Sequence, residues 1–279
     1  MSVKQLDNYL EVLPNRYHEE FKEYSDSRSY QKSIRWIFEE YLITIVDDLS
    51  FDESQLIGLF LYGNDVNNDI THIQLKEVLK LQKRRYIQDI NRLKDTEFTI
   101  ISSNCVGGVV YHNLGLEFKS PTINLFLKPK DFVKFCARLD YYIACEIIPV
   151  KDNGIKYPIG QVDDILIYGL HYDSFEELKK KWEDRKRRIC WSNLFFIMTE
   201  RDGCTREDIL NFDNLPYPNK IVFVHKPMPD INSAFYLKGT EDIEDGEICV
   251  VPLSGFKKNE NIRFIDEFDY VSFLNKGLD

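Results

Sequence analysis

The sequence predicts an α/β domain, a largely parallel sheet flanked by helices, preceded by an all-α N-terminal module. Three observations lead there. Before Lys94 apolar residues recur at three- and four-residue steps, the period of a helix face. After Thr96 the pattern changes to short β-branched or aromatic runs separated by helical stretches, the alternation that builds strand–helix–strand units. The 279 residues are 43% hydrophobic and 29% charged, enough apolar material for a well-buried core in one large domain or two smaller ones.

Taken in order, Tyr30, Ile34, Ile37, Phe38, Tyr41, Leu42 and Ile45 mark one helical stripe, and Ile73 to Leu93 repeats the period. Gly58, Gly63, Asn64, Asn67 and Asn68 interrupt these blocks and make Phe51 to Asp69 the linker candidate. The expected division is a helical module over 1–95 and an α/β domain over 96–279. Strands are expected at Phe98 to Ser102, Asp164 to Leu170, Leu194 to Thr199, Ile221 to Val224 and Ile248 to Val251. Between them Asp131 to Tyr142 has helical spacing. Ser174 with Glu177, and Thr205 with Asp208, carry the polar pair of a capped helix start. The acid-rich end, with Glu241, Asp242, Glu244, Asp245, Glu260, Asp266, Glu267 and Asp269, reads as a solvated edge strand and tail.

Composition excludes several function classes. With 36 basic against 46 acidic residues the net charge is -10, and such a surface repels phosphate backbones, so a nucleic-acid polymer is not expected as partner. The first residues lack a signal-peptide apolar stretch, and the longest apolar runs are strand-sized, so a cytoplasmic protein without a membrane span is expected. Six cysteines stand singly, in the manner of reduced thiols. The five histidines show no ligand spacing, and the chain has neither a P-loop nor a dinucleotide-binding glycine pattern. Neither a metal nor a cofactor is expected.

In open α/β sheets the ligand crevice lies beyond the carboxyl ends of the strands. The residues following the first four strand candidates are Ser102 to Gly108, His171 with Tyr172, Glu200 to Asp202, and His225 with Lys226; parallel strands would bring all four groups to one rim. Cys105 stands at a strand-to-helix turn, where the positive end of the helix lowers a thiol's pKa. Gly107 and Gly108 let the backbone approach a ligand, and their amides could hold a phosphate or an oxyanion. The plainer alternative is a small buried cysteine beside glycines that serve a tight turn. His171 has the residue type of a base for Cys105, with Asp163, Asp164 and Asp202 as candidate orienting groups; alternatively it orders its own turn. On the helix opened by Ser174, Phe175, Leu178, Trp182, Arg185 and Ile189 fall on one side. An arginine on that face needs an anionic partner, either an internal carboxylate such as Asp163 or Asp202, or a ligand.

Ser103-Asn104-Cys105-Val106-Gly107-Gly108, Ser120-Pro121-Thr122, Tyr157-Pro158-Ile159-Gly160, His171-Tyr172, Trp182 with Arg185 and Arg188, and Arg201-Asp202-Gly203-Cys204 stand in that order between about Phe98 and Lys226. Together they resemble the bacterial domain of unknown function nineteen-nineteen family, whose members are commonly labelled exopolysaccharide or capsular polysaccharide biosynthesis proteins. The resemblance implies an α/β domain and a role near cell-surface glycan assembly, and implies no reaction. A thinner likeness, through a cysteine after the first strand, a later histidine and a basic helix, is to papain-like cysteine peptidases.

The expected function is therefore a transferase of cell-surface polysaccharide biosynthesis with an activated sugar or acyl donor and a glycan acceptor. Asn104, Gly107, Gly108, Arg185 and Arg188 would hold the anionic donor, and His171 or Asp202 would handle the acceptor proton. The alternatives are a Cys105–His171 acyltransferase or hydrolase, and a non-catalytic protein that binds a glycan or a partner enzyme through the helical module.

Overall fold

The computed structural model of the chain describes residue 81 and residues 84–151, 154–242, 253, 257 and 262–276. The chain divides into two units, Met1–Gln88 and Asp89–Asp279. The all-α module expected over 1–95 falls almost wholly outside the described residues, as does the strand expected at Ile248 to Val251.

In chain order the second unit contains β1 (Thr99–Ser102), α1 (Val106–Asn113), α2 (Pro129–Ala137), α3 (Leu139–Ala144), β2 (Ile147–Val150), β3 (Ile159–Val162), β4 (Ile165–Tyr168), α4 (Phe175–Lys186), β5 (Leu194–Thr199), α5 (Arg206–Asp213), β6 (Lys220–Val224), β7 (Ala234–Tyr236), a 3-10 turn (Phe264–Glu267) and α6 (Tyr270–Leu274). Four strands form a sheet in the order β1-β5-β6-β7, and every pair in it is parallel. The α/β architecture with a parallel sheet flanked by helices is the one the sequence predicts.

Alternation along the strands feeds two packed faces, as a sheet covered on both sides requires. Ile101, Phe196, Met198, Val222 and Val224 pack with Phe132 and Phe135 of α2, Leu178 and Trp182 of α4, and Ile209 and Phe212 of α5. On the alternate positions an aromatic chain runs from Tyr111 of α1 through Phe98 and Phe195 to Phe273 of α6, with successive ring centroids 5.6, 5.9 and 5.1 Å apart. Burial of several such rings adds a large apolar contribution on that side. β1 is an edge strand, yet two of its amides are satisfied by side chains. Ile100 N–H donates to Tyr111 Oη at 3.0 Å, and Ser102 N–H donates to Thr122 Oγ1 at 3.0 Å. Those bonds close an edge that would otherwise present unpaired backbone groups.

The strand expected at Asp164 to Leu170 forms as β4, but in a separate three-stranded antiparallel sheet of order β2-β3-β4. Its register pairs Val162 with Ile165 across the two-residue turn Asp163–Asp164, where Asp163 takes φ 52°. A tight hairpin turn demands that left-handed geometry, and Asp is among the non-glycine residues that tolerate it. His171 and Tyr172 consequently do not end a strand of the parallel sheet, and the four expected rim groups reduce to three. The small sheet is tethered to the rim by the segment after α1: Phe126 bridges Tyr168 with reciprocal 2.9 Å hydrogen bonds, and the next amide, of Leu127, donates to Ser103 O at 2.9 Å.

Both expected helix caps form. Ser174 Oγ accepts the Glu177 amide at 3.1 Å, and Thr205 with Asp208 makes a reciprocal capping box. The helix expected over Asp131 to Tyr142 is two helices, α2 and α3, because Arg138 leaves the helical region at φ −137° and ψ 48°. The acid-rich end also departs from expectation. Glu241 and Asp242 are exposed, but Asp266 is buried, held by both Nε and Nη2 of Arg263 at 3.0 Å, and Glu267 pairs with Lys257. The segment folds back because Ile265, Tyr270, Val271, Phe273 and Leu274 are buried with it, and apolar burial outweighs the pull of its carboxylates toward water.

Candidate functional site

β1, β5 and β6 are neighbours in the parallel sheet, and the residues following each meet at the carboxyl end. Asn104 joins the first two. Its Nδ2 donates to Thr199 Oγ1 at 2.7 Å, its Oδ1 accepts the Val106 amide at 3.1 Å, and its carbonyl accepts Ser102 Oγ–H at 2.6 Å. Ser103 adds a second tie by accepting the Thr199 amide on Oγ at 3.2 Å. A small hollow of about 10 Å³, room for about one water molecule, lies here and forms the crevice, lined by Ser103, Asn104, Leu127, Thr199, Arg201 and Asp202 among others.

Cys105 is the N-cap of α1, half-buried and in no disulfide. Gly107 behind it has a packing role: a Cβ there would stand 2.6 Å from Ser102 Oγ, so only a hydrogen allows α1 this close to β1. Two amides of the turn are engaged internally, Val106 with Asn104 Oδ1 and Gly107, one of the two that the sequence offers to an anion, with Ser102 Oγ at 3.3 Å.

Asp202 follows β5 in the left-handed region at φ 56°, with Gly203 at 74° after it. Its carboxylate meets Arg201 Nε at 3.0 Å, and the Arg201 guanidinium lies over the Phe126 ring at 5.3 Å. One residue earlier, Glu200 turns inward. Its Oε2 accepts the His225 amide at 3.0 Å and lies 2.6 Å from His225 Nδ1, with 2% and 6% of the His225 and Glu200 side chains exposed.

Arg185 projects from the packed face of α4 as its wheel position predicts and is 7% exposed. Its Nη1 donates to Ile123 O at 3.1 Å and to Tyr172 Oη at 2.7 Å, and the guanidinium faces the Phe118 ring at 5.5 Å. Tyr172 Oη–H donates to Ile123 O at 2.8 Å, and burial pushes its phenol up to about 12 against the pull of Arg185, with Cys105 among the groups that raise it further. These oxygens are neutral. Asp163 instead accepts from Tyr141 and Asp202 pairs with Arg201, so neither carboxylate expected as an internal partner reaches Arg185.

The family model described as Domain of unknown function (DUF1919) matches residues 76–275, a span that takes in every element from β1 to α6. The chain belongs to this family. An uncharacterized protein of Haemophilus influenzae (strain ATCC 51907 / DSM 11121 / KW20 / Rd) is 37% identical over 205 residues, covering 72% of this chain and 97% of that protein.

Within the DUF1919 domain the candidate residues fall into distinct places. Asn104 and Asp202 share the crevice, and Cys105 adjoins it. Gly107 and Gly108 lie buried in α1. His171 occupies the turn after β4, and it is the next residue, Tyr172, that bonds Arg185. Arg188 anchors a loop through Glu117 at 2.9 Å and the carbonyl of Phe118 at 3.2 Å. The Glu200–His225 pair stands among the rim groups in the sequence, but no residue spacing singles it out, because its proximity depends on β5 and β6 being neighbours. Among the described residues no group of three or more His, Cys, Asp and Glu could hold a metal ion, and no helix is long and apolar enough to cross a membrane.

Thiol accessibility gives a first prediction. Burial pushes the Cys204 thiol up to about 12 and raises Cys136 well above the usual thiol value, whereas Cys105 is half-buried at a helix start. Iodoacetamide at pH 7.5, read by peptide mass spectrometry, is expected to alkylate Cys105 in the native protein well before Cys136 and Cys204. Equal labelling of the three would overturn it.

Proposed function

We propose that this protein is a transferase of cell-surface polysaccharide biosynthesis that takes an anionic activated donor at Arg185. The observation that carries the reading is a guanidinium 7% exposed whose described hydrogen-bond partners are neutral oxygens. Removing a charge from water costs several kcal/mol unless an opposite charge compensates it, and a phosphate or carboxylate on a donor is the group that would do so. The Phe118 ring contact and the Nη1 bond to Tyr172 hold the guanidinium in place, which favours two-point binding of an oxyanion by its remaining nitrogens. Asp202, which lines the same crevice as Asn104, is the group available to take the acceptor's hydroxyl proton. The polysaccharide context comes from the resemblance read in the motifs.

The test is a thermal-shift panel of nucleotide sugars and acyl donors followed by turnover assays. At least one donor near a hundredfold its Kd is expected to raise Tm by about 5 °C. In Arg185→Gln that shift is expected to vanish, while Arg185→Lys, which keeps the charge, retains part of it. Neither shift nor turnover across the panel would overturn the proposal.

A second reading, in which Cys105 is a covalent nucleophile, is favoured by its N-cap position. Cys105→Ser separates the two: the donor reading expects retained turnover, the thiol reading its loss.

A further inference from the structure

We infer that the mouth of the crevice is a subsite for the pyranose ring of a neutral glycan acceptor, built from Tyr157, Arg201, Asp202 and Lys128. This inference rests on the transferase reading and assigns the acceptor side of it.

An aromatic group adjoins the crevice through Arg201, which lines it. Phe126 and Tyr168 stack with centroids 4.7 Å apart, and Tyr157 stands edge-on to Phe126 at 6.2 Å. Phe126 and Tyr168 are buried, whereas Tyr157 keeps part of its ring at the surface. Two cations flank the group: Arg201 lies over Phe126 at 5.3 Å, and Lys128 Nζ over Tyr168 at 5.6 Å. The Asp202 carboxylate completes the ring of polar groups, 3.0 Å from Arg201 Nε, with 25% of the Arg201 side chain and 27% of Asp202 exposed. That Tyr157 lies among these charges is also visible in its phenol. Burial raises it most, then Asp202 raises it, and Arg201 and Lys128 lower it.

The charge balance decides the ligand class. Asp202 and Arg201 compensate each other at 3.0 Å, and Lys128 is exposed and solvated, so neither a free anion nor a free cation meets an uncompensated buried charge here. A neutral polyol suits all three. Asp202 accepts hydrogen bonds from a pair of hydroxyls, the Arg201 nitrogens not engaged by Asp202 donate to hydroxyl oxygens, and the Tyr157 ring packs against the apolar C–H side of the sugar. This differs from Arg185, where the described oxygens contacting the cation are neutral and an anion is required.

Saturation-transfer NMR on the full chain tests the inference, with methyl glycosides of glucose, galactose and N-acetylglucosamine as probes. Transfer to at least one glycoside is expected, with about tenfold weaker binding in Tyr157→Ala and in Asp202→Asn. Asparagine tolerates the left-handed backbone at this position, so the second variant keeps the fold. Circular dichroism verifies this for both variants. No transfer from any glycoside, or undiminished transfer in both folded variants, overturns the subsite. The nucleotide-sugar shift measured on the same samples separates this outcome from the donor reading. A shift that survives without glycoside binding removes only the subsite, and glycoside binding without any nucleotide shift removes only the donor assignment.

Discussion

Gly107→Ala is expected to destabilise the α/β domain by about 2 kcal/mol net, from overpacking at about 3 kcal/mol, the upper end of the usual range for a filled core, less the helix preference of alanine. The new methyl would stand 2.6 Å from Ser102 Oγ and 3.1 Å from both Ser102 Cβ and Ile100 Cγ2. None of these can move cheaply. Ile100 and Ser102 are fully buried in β1, and Ser102 Oγ is fixed by its bonds to Asn104 O at 2.6 Å and from the Gly107 amide at 3.3 Å. Alanine gains up to about 1 kcal/mol over glycine in a helix interior, so the steric term still wins. The control is one residue away: a Cβ on Gly108 meets nothing closer than Ile123 Cγ2 at 3.5 Å, and Gly108→Ala is expected to be neutral or stabilising. Urea denaturation of the two variants checks the contrast, and equal midpoints would sink it. Since α1 begins at Cys105 and Asn104 clamps it to Thr199, the damaged variant also displaces the rim.

The parts of this fold legible in the sequence are those whose cause is local. Ser174 and Thr205 mark helix starts because a cap and its partner lie three residues apart, and both form. Leu194 to Thr199 reads as a buried central strand because it is a continuous apolar run, and β5 has those bounds. Ile165 to Tyr168 is equally apolar, and nothing within it says that its partner is the Gly160-bearing β3 in an antiparallel hairpin instead of a strand of the parallel sheet. Pairing is a tertiary fact, and the displaced rim group followed from it.

The same distinction holds for the candidate site. That Arg185 faces inward follows from the 100° step of a helix. That it meets Ile123 O and Tyr172 Oη, not a carboxylate, depends on the loop after α1 and the turn after β4 converging on α4. Tyr111 and Thr122 look unremarkable as residue types, and their hydrogen bonds to the edge of β1 appear only once that strand is known to be an edge. His171 and His225 are equally plausible from sequence. The parallel pairing of β5 with β6 is what brings Glu200 to one of them.

That pair supports the remaining prediction: Glu200→Ala is expected to lower domain stability by about 3 kcal/mol, the scale for removing one member of a buried hydrogen-bonded pair. Glu200 Oε2 accepts the His225 amide at 3.0 Å and lies 2.6 Å from Nδ1 of the same residue, so one oxygen serves both the backbone and the ring. With that oxygen as acceptor twice over, Nδ1 is the ring nitrogen that carries the proton toward it. Truncation deprives both donors of this acceptor in a place water does not reach, since His225 is 2% exposed. Glu200→Gln retains an oxygen able to accept twice and is expected to lose only about 1 kcal/mol, the difference between a charged and a neutral acceptor. Guanidinium denaturation of the two variants measures both values. An alanine variant as stable as the parent, or a glutamine variant no better than alanine, would mean that the pair does not hold β5 and β6 together at the rim. The position of the loss matters for the site, because Glu200 lies between Thr199, which bonds Asn104, and the Arg201–Asp202 turn. Releasing it frees that turn to move, so ligand binding in Glu200→Ala is expected to fall even at temperatures where the domain stays folded, whereas in Glu200→Gln it is expected to persist.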